Sequence, residues 1–269
     1  MRKNRVRELW AEGKPVLNGW LSIPNAFTAE IMATQGYDSI GVDLQHGVVD
    51  YQTCVSMFQA VQSSIPTPLA RVPWLDPSAI MKVLDAGAYG VICPMINNRA
   101  EAERLVSYVR YPPHGVRSFG PTRAQFSAGE NYGREADSEV LCFAMIETRE
   151  AVDNLAEIVS TPGLDAVYIG PADLTIGLTG MTYRTGFDRE EPEILQVIQT
   201  ILEKAHAHGL KAALHCGTPA YAAKAVAWGF DMVTLSNDVR ALADGAAASV
   251  RAFRAAHSVA MPATGKVGY

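Results

Sequence analysis

The nine residues Asp165-Ala166-Val167-Tyr168-Ile169-Gly170-Pro171-Ala172-Asp173 hold a short apolar run, then a Gly-Pro turn, then a carboxylate. A run of this kind, almost without polar interruption, suits a strand covered on both faces, as in a parallel sheet. The same grammar recurs before and after it. Strand signals fall at 17–23, 38–44, 67–72, 89–95, 141–147, 165–170, 211–216 and 231–236. Helical patterns separate them at 26–35, 51–63, 76–86, 99–109, up to 159, 191–207, 219–227 and 238–256. Asp76 before Pro77 is a cap followed by a helix-starting proline. Eight strand-helix units in about 250 residues predict an α/β fold, a closed (β/α)8 TIM barrel, as one domain over residues 1–269. An open doubly wound sheet would want a Gly-x-Gly-x-x-Gly turn after its first strand, but Gly19 and Gly36 stand alone. No phosphate-binding GxxxxGK[ST] loop occurs.

The chain has 48% hydrophobic and 19% charged residues and a formal net charge of −5, a globular composition without the basic excess of a nucleic-acid binder. Cys54, Cys93, Cys142 and Cys216 are scattered, without a CxxC pair, and read as free thiols of a reducing compartment. The basic N-terminal stretch lacks the apolar core of a secretory signal, and no run of about 18 apolar residues suggests a membrane span. A cytoplasmic protein is expected. Residues 111–135, rich in Pro and Gly, have little periodicity and read as a long loop, functional or disordered.

In such barrels chemistry gathers where the strands end. Those ends carry Asp43, Gln45 and His46 after the second strand, Arg71 after the third, Glu147 after the fifth and Asp173 after the sixth. His215 closes the seventh and Ser236 the eighth. Glu147 and Asp173 could share one hard divalent cation, leaving positions for water and substrate oxygens; a salt bridge and a helix cap are the plainer alternatives. Arg71 could receive an anion over the mouth. His46, with Asp43 three residues before it, could be a general base oriented by that carboxylate. Only its position speaks for His215. Lys82, Lys204 and Lys224 fall in helices and Lys211 starts a strand, so no lysine is placed for an imine at the mouth.

Asp43-Leu44-Gln45-His46-Gly47, Arg71, Tyr111-Pro112-Pro113 with Gly115 and Arg117, Glu147, and Gly170-Pro171-Ala172-Asp173-Leu174 together resemble the HpcH/HpaI aldolase family, over about residues 19–256. The resemblance implies a pyruvate-type barrel and a class II aldolase using Mg²⁺, Mn²⁺ or Co²⁺. It would cleave a 4-hydroxy-2-oxo acid to pyruvate and an aldehyde, with oxaloacetate decarboxylation as a side activity. It further implies that Glu147 and Asp173 hold the metal and that Arg71 meets the oxygen that becomes the enolate. His46, oriented by Asp43, would move protons. The Gly170-Pro171-Ala172-Asp173 turn would hold the pyruvate carboxylate through amides about Ala172 and Asp173. A hexamer, a trimer of dimers with the last helix exchanged between subunits, is implied as well, with Asp85 reaching a neighbour's site. Gln45 stands where members carry Glu, and Met145 where they carry Gln; both weaken the tie to one substrate and leave the metal ligands and Arg71 in place. A malyl-CoA or citramalyl-CoA lyase is the alternative within enzymes, prompted by Arg99, Arg104, Arg110, Arg117 and Arg123. A metal-free binding barrel is the alternative outside them.

Overall fold

A computed structural model describes residues 1–256. Eight parallel strands close in sequence order: β1 (Val16–Leu21), β2 (Ser39–Asp43), β3 (Thr67–Arg71), β4 (Gly90–Cys93), β5 (Leu141–Met145), β6 (Ala166–Ile169), β7 (Lys211–Cys216) and β8 (Met232–Leu235), with β8 paired back onto β1. This is the expected (β/α)8 barrel. Residues 257–269, included in the expected single domain, lie outside the described residues. Among the described residues no helix is long and apolar enough to cross a membrane.

Strand residues alternate between two cores, as the two-residue period of a strand requires. Leu141, Phe143 and Met145 of β5 point into the barrel with Trp20, Leu69, Ile92, Tyr168, Ala213 and Met232. Cys142 and Ala144 face the surrounding helices. Continued past β5, the same parity carries Glu147 to the inward side at the mouth. Asp43 and Arg71 are register partners across β2 and β3.

The helices that follow the strands are α2 (Ala26–Ala33), α3 (Tyr51–Gln62), α4 (Pro77–Asp85) and α5 (Arg99–Val109), then α8 (Arg149–Asp153) with α9 (Leu155–Val159), α10 (Pro171–Thr179), α11 (Pro192–Ala207), α12 (Pro219–Trp228) and α13 (Asp238–Ala256). Asp76 caps α4 through the Ala79 N–H, with Pro77 in its first turn. The helix expected up to residue 159 is broken at Asn154 into α8 and α9.

Three features depart from the sequence reading, and a fourth concerns the last helix, for which the resemblance implies exchange between subunits. The basic N-terminus contains α1 (Arg5–Ala11), whose Val6, Leu9 and Trp10 join the barrel-interior core. The segment after β6, read as a turn and a Gly-rich excursion, is α10; Leu174 and Thr175 are buried and Thr175 Oγ1 donates to the Pro171 carbonyl. Residues 111–135 contain α6 (Ala124–Ala128) and the start of α7 (Tyr132–Glu139). They connect the end of α5 to the start of β5, which places them at the rim opposite the mouth. Finally, α13 does not pack on the barrel as an eighth helix in its own chain. Asp238 is its one buried residue among those described, accepting from the Ser22 and Ile23 N–H groups, while Val239, Leu242 and Val250 stand exposed. The barrel face that an eighth helix would cover is an apolar groove of about 290 Å³, lined by Val16, Leu17, Ala222, Val226, Val233 and Leu235.

Candidate active site

Asp43 ends β2 buried, and Arg71 ends β3 beside it. The guanidinium donates twice to the carboxylate, Nε to Oδ1 at 2.9 Å and Nη2 to Oδ2 at 2.6 Å. Asp43 also accepts the backbone N–H groups of Gln45 (3.1 Å) and His46 (3.2 Å) and Trp20 Nε1 (3.3 Å). Burial alone would raise this carboxyl, but Arg71 and the two backbone donors outweigh burial and hold it below the usual carboxylate range. The Arg71 guanidinium lies 5.0 Å from the centre of the Trp20 ring, which fixes its plane from a second side.

These contacts correct the assigned role of Asp43. Its oxygens are used by Arg71, by Trp20 and by the loop backbone, and none of its hydrogen bonds reaches the His46 imidazole. A cross-strand cation in register holds the carboxylate better than an exposed ring three residues away. His46 therefore sits on a loop whose backbone Asp43 pins, with its side chain exposed at the mouth. That loop folds tightly onto β2: a Cβ at Gly47 would lie 2.3 Å from the Asp43 carbonyl oxygen, so only glycine fits.

Glu147 is buried across the mouth. Oε1 accepts the Met95 N–H at 2.9 Å, with Met95 itself held at φ 56°, while Oε2 has no hydrogen-bond partner. Burial pushes its carboxyl up to about 7, and the charge of Asp173 adds to the rise against the Met95 N–H and Arg71. Oε2 lies over Gly170, where a Cβ would come within 2.6 Å of it. Asp173 is exposed in the first turn of α10. Gly170 caps that helix without a side-chain hydrogen bond, so no side chain caps the first-turn N–H groups at its positive end, about Ala172 and Asp173.

A buried carboxylate with a bare oxygen beside a second carboxylate fits a cation better than it fits a folding role, because like charges held together destabilise each other unless a counter-charge arrives. Among the described residues no group of three or more His, Cys, Asp or Glu gathers. Two carboxylates completed by water and substrate oxygens are the donor set expected for Mg²⁺ or Mn²⁺.

The barrel gathers Asp43, His46, Arg71, Glu147 and the Gly170–Asp173 turn at one end, but not Asp85. That residue ends α4 at the opposite rim, where Arg117 Nη2 donates to Oδ1 at 2.6 Å and the guanidinium lies between the rings of Tyr111 and Tyr132. The five arginines that suggested a CoA surface do not converge on the mouth. Arg110 is buried against Asp165, Arg117 against Asp85, Arg99 and Arg104 pair with Glu103 and Glu101, and Arg123 donates to the Ala86 carbonyl and Gln62.

Sequence reasoning passed over Trp20, Tyr168 and Phe187, which wall the site. Phe187, in the loop between α10 and α11, stacks on His215 with ring centres 4.3 Å apart, and Trp20 meets the same ring edge-on at 5.2 Å. The inward parity of β1 and β6 would have placed Trp20 and Tyr168; no local signal marks Phe187. Burial first, then the Arg71 charge, pushes His215 down to about 3, so its imidazole is neutral.

The family model for HpcH/HpaI aldolase/citrate lyase matches residues 18–245. The chain is 43% identical over 243 residues to a hydroxypyruvate/pyruvate aldolase of Rhizorhabdus wittichii, covering 90% of this chain and 96% of that one. It is 33% identical over 258 residues to a 4-hydroxy-2-oxo-heptane-1,7-dioate aldolase of Salmonella heidelberg, covering 94% and 95%. A crystal structure of an HpcH/HpaI aldolase/citrate lyase family protein from Burkholderia cenocepacia superposes with a TM-score of 0.86 at 26% identity, over 94% of this chain and 100% of that one.

Proposed function

Because this chain belongs to the HpcH/HpaI aldolase/citrate lyase family, we propose that it is a divalent-metal-dependent aldolase that reversibly cleaves a 4-hydroxy-2-oxo acid into a 2-oxo acid and an aldehyde. The observation that carries this reading is the buried Glu147, with a bare Oε2 beside Asp173, facing the Asp43–Arg71 pair. A Mg²⁺, Mn²⁺ or Co²⁺ ion held by Glu147 and Asp173 would supply Lewis-acid polarisation of the 2-oxo group.

The chain's own groups account for the rest. The first-turn N–H groups of α10 receive the substrate carboxylate and set its direction. Arg71, locked by Asp43 and Trp20, presents donors to the 2-oxo oxygen. As the C3–C4 bond breaks, negative charge moves onto that oxygen, and an already oriented guanidinium stabilises it without rearrangement. His46, on the pinned loop at the mouth, takes the proton of the 4-hydroxyl as the C3–C4 bond breaks; once the aldehyde has left, the enolate takes up a proton at C3 to become the 2-oxo acid, and addition runs the same steps in reverse. With oxaloacetate, carbon dioxide would leave in place of the aldehyde. The relative from R. wittichii makes pyruvate and hydroxypyruvate the first 2-oxo acids to try.

The working form in this reading is an oligomer, a trimer of dimers. Its support is the exposed apolar side of α13, the open groove on the barrel, and the position of Asp85 and residues 111–135, which can meet a mouth only in another copy.

The test is chelation. Activity with pyruvate and an aldehyde should disappear when metal is stripped and return with Mn²⁺, Mg²⁺ or Co²⁺. Full turnover after exhaustive chelation, or an imine trapped by borohydride with pyruvate, would overturn the assignment.

A further inference from the structure

We propose that His215 is a specificity residue whose Nε2 receives a hydroxyl group carried by one of the two substrates. The inward positions of five strands build a polar chain inside an otherwise apolar barrel. Ser39 Oγ donates to Asn18 Oδ1 (2.8 Å), Asn18 Nδ2 to Thr234 Oγ1 (3.0 Å), and Tyr168 Oη to the same Thr234 oxygen (2.7 Å); Tyr168 Oη also meets His215 Nδ1 at 3.0 Å. The chain ends at His215 Nε2, which is buried and has no hydrogen-bond partner. The Ser236 carbonyl approaches the ring without closing a bond to Nε2, and Ser236 is held at φ 51°, a strained setting for a residue that is not glycine.

The rest of the surroundings fix the ring. Phe187 lies flat on one face and Trp20 meets its edge. The Phe187 loop is tied down by Asp188, which accepts the Gly217 N–H at 2.6 Å and Thr218 Oγ1 at 2.7 Å. For packing between two aromatic rings an apolar side chain would serve without leaving a nitrogen unpaired, so the orphaned atom calls for a ligand. Trp20 is also the ring on which Arg71 rests, so the His215 ring packs beside the mouth, where Arg71 and Asp43 both bear on its charge. Because Tyr168 Oη gives its one proton to Thr234, His215 Nδ1 donates to Tyr168, and Nε2 of the neutral imidazole is left as an acceptor for a hydroxyl proton. A site built around such a contact discriminates against the analogue that lacks the hydroxyl.

The inference rests on the aldolase reading and identifies a substrate class for it: a hydroxylated 2-oxo acid or a hydroxylated aldehyde. Four pairs separate these, pyruvate or hydroxypyruvate with acetaldehyde or glycolaldehyde, assayed with Mg²⁺ in wild type, His215→Phe, His215→Gln and Tyr168→Phe. In His215→Phe, which keeps the aromatic stack, the kcat/KM ratio of hydroxylated to deoxy substrate should fall about 10- to 100-fold for whichever partner carries the recognised hydroxyl. His215→Gln should restore part of the ratio, and Tyr168→Phe, which leaves Nε2 in place, should disturb it less. An unchanged ratio in His215→Phe, or an equal loss for all four pairs, overturns the inference. If wild type joins none of the pairs, the aldolase reading is what fails. Calorimetric titration of pyruvate, hydroxypyruvate, acetaldehyde and glycolaldehyde into the Mg²⁺-treated protein then decides His215. Preference for a hydroxylated ligand, lost in His215→Phe, supports it, and equal affinities overturn it.

Discussion

In the proposed reaction the pair of Arg71 and Asp43 would let one carboxylate serve stability and chemistry together. Removing the carboxylate leaves a guanidinium whose side chain is only 11% exposed without its counter-charge. Breaking a buried pair in this way costs about 3–5 kcal/mol. Asp43→Ala should therefore lower the denaturant midpoint strongly and reduce kcat/KM as well, since Arg71 loses its fixed plane. The sign with pH follows from the lowered carboxyl. Its folded value lies below its unfolded one, so the stability it contributes is complete above the usual carboxylate range and is lost as pH falls through the folded value. Acid unfolding curves of wild type and Asp43→Asn should accordingly converge at low pH and separate near neutrality; a constant separation would deny the linkage. Arg71→Lys keeps the charge and loses the fork, so kcat/KM should drop about 10²-fold or more, and wild-type rates in that variant would make Arg71 structural. Much of this site was legible in the sequence, because the parity that buries Phe143 and Met145 also delivers Glu147, and the same holds for Arg71 beyond Leu69. The partner of Asp43 was not. A three-residue spacing to His46 is visible along the chain, whereas the register that sets Asp43 beside Arg71 exists only once β2 and β3 pair.

Helices α1 and α10 were missed for different reasons. In α10, Pro171, Gly177 and the two threonines Thr175 and Thr179 have weak intrinsic helix preference, and what holds the helix is burial of Leu174 and Thr175 together with the proline start. In α1 the signal was present: Val6, Leu9 and Trp10 fall at i, i+3 and i+4, and Asn4 before them is a cap that accepts the Val6 N–H. Its basic charge reads most readily as a possible leader and masks that pattern. It closes the bottom of the barrel, with Trp10 against Phe143 at 6.0 Å between ring centres and its Nε1 donating to the Asp231 carbonyl at 3.0 Å. Trp10→Ala should cost about 3–5 kcal/mol by opening a cavity beneath the inner core. Because α1 lies at the far end from the mouth, KM for the 2-oxo acid should stay close to wild type at temperatures where the variant is folded. A changed KM with unchanged stability would mean that α1 does something other than seal the floor.

The proposed oligomer answers two features of the single chain. A 19-residue helix extends roughly 28 Å, yet α13 has only Asp238 buried, while the groove along Val16, Leu17, Ala222, Val226 and Val233 lies open on the barrel. In the proposed oligomer an amphipathic helix and an apolar groove on the same chain would complement each other between copies, and exchange would remove both from water at once. The opposite rim poses the same problem in polar form: Arg117 is wholly buried to hold an Asp85 that no group at its own chain's mouth can use. Both features are accounted for if neighbouring copies receive the helix and the carboxylate. Leu242→Asp combined with Val250→Asp would place two charges in that interface, where burial without partners is strongly unfavourable. Sedimentation of wild type at micromolar concentration should show an oligomer and the double variant a smaller species. The smaller species should keep the circular dichroism of the barrel and lose at least about tenfold in kcat/KM, the scale of one mispositioned polar contact. A wild-type monomer with full activity would place the whole site within one chain and leave α13 without a function in catalysis.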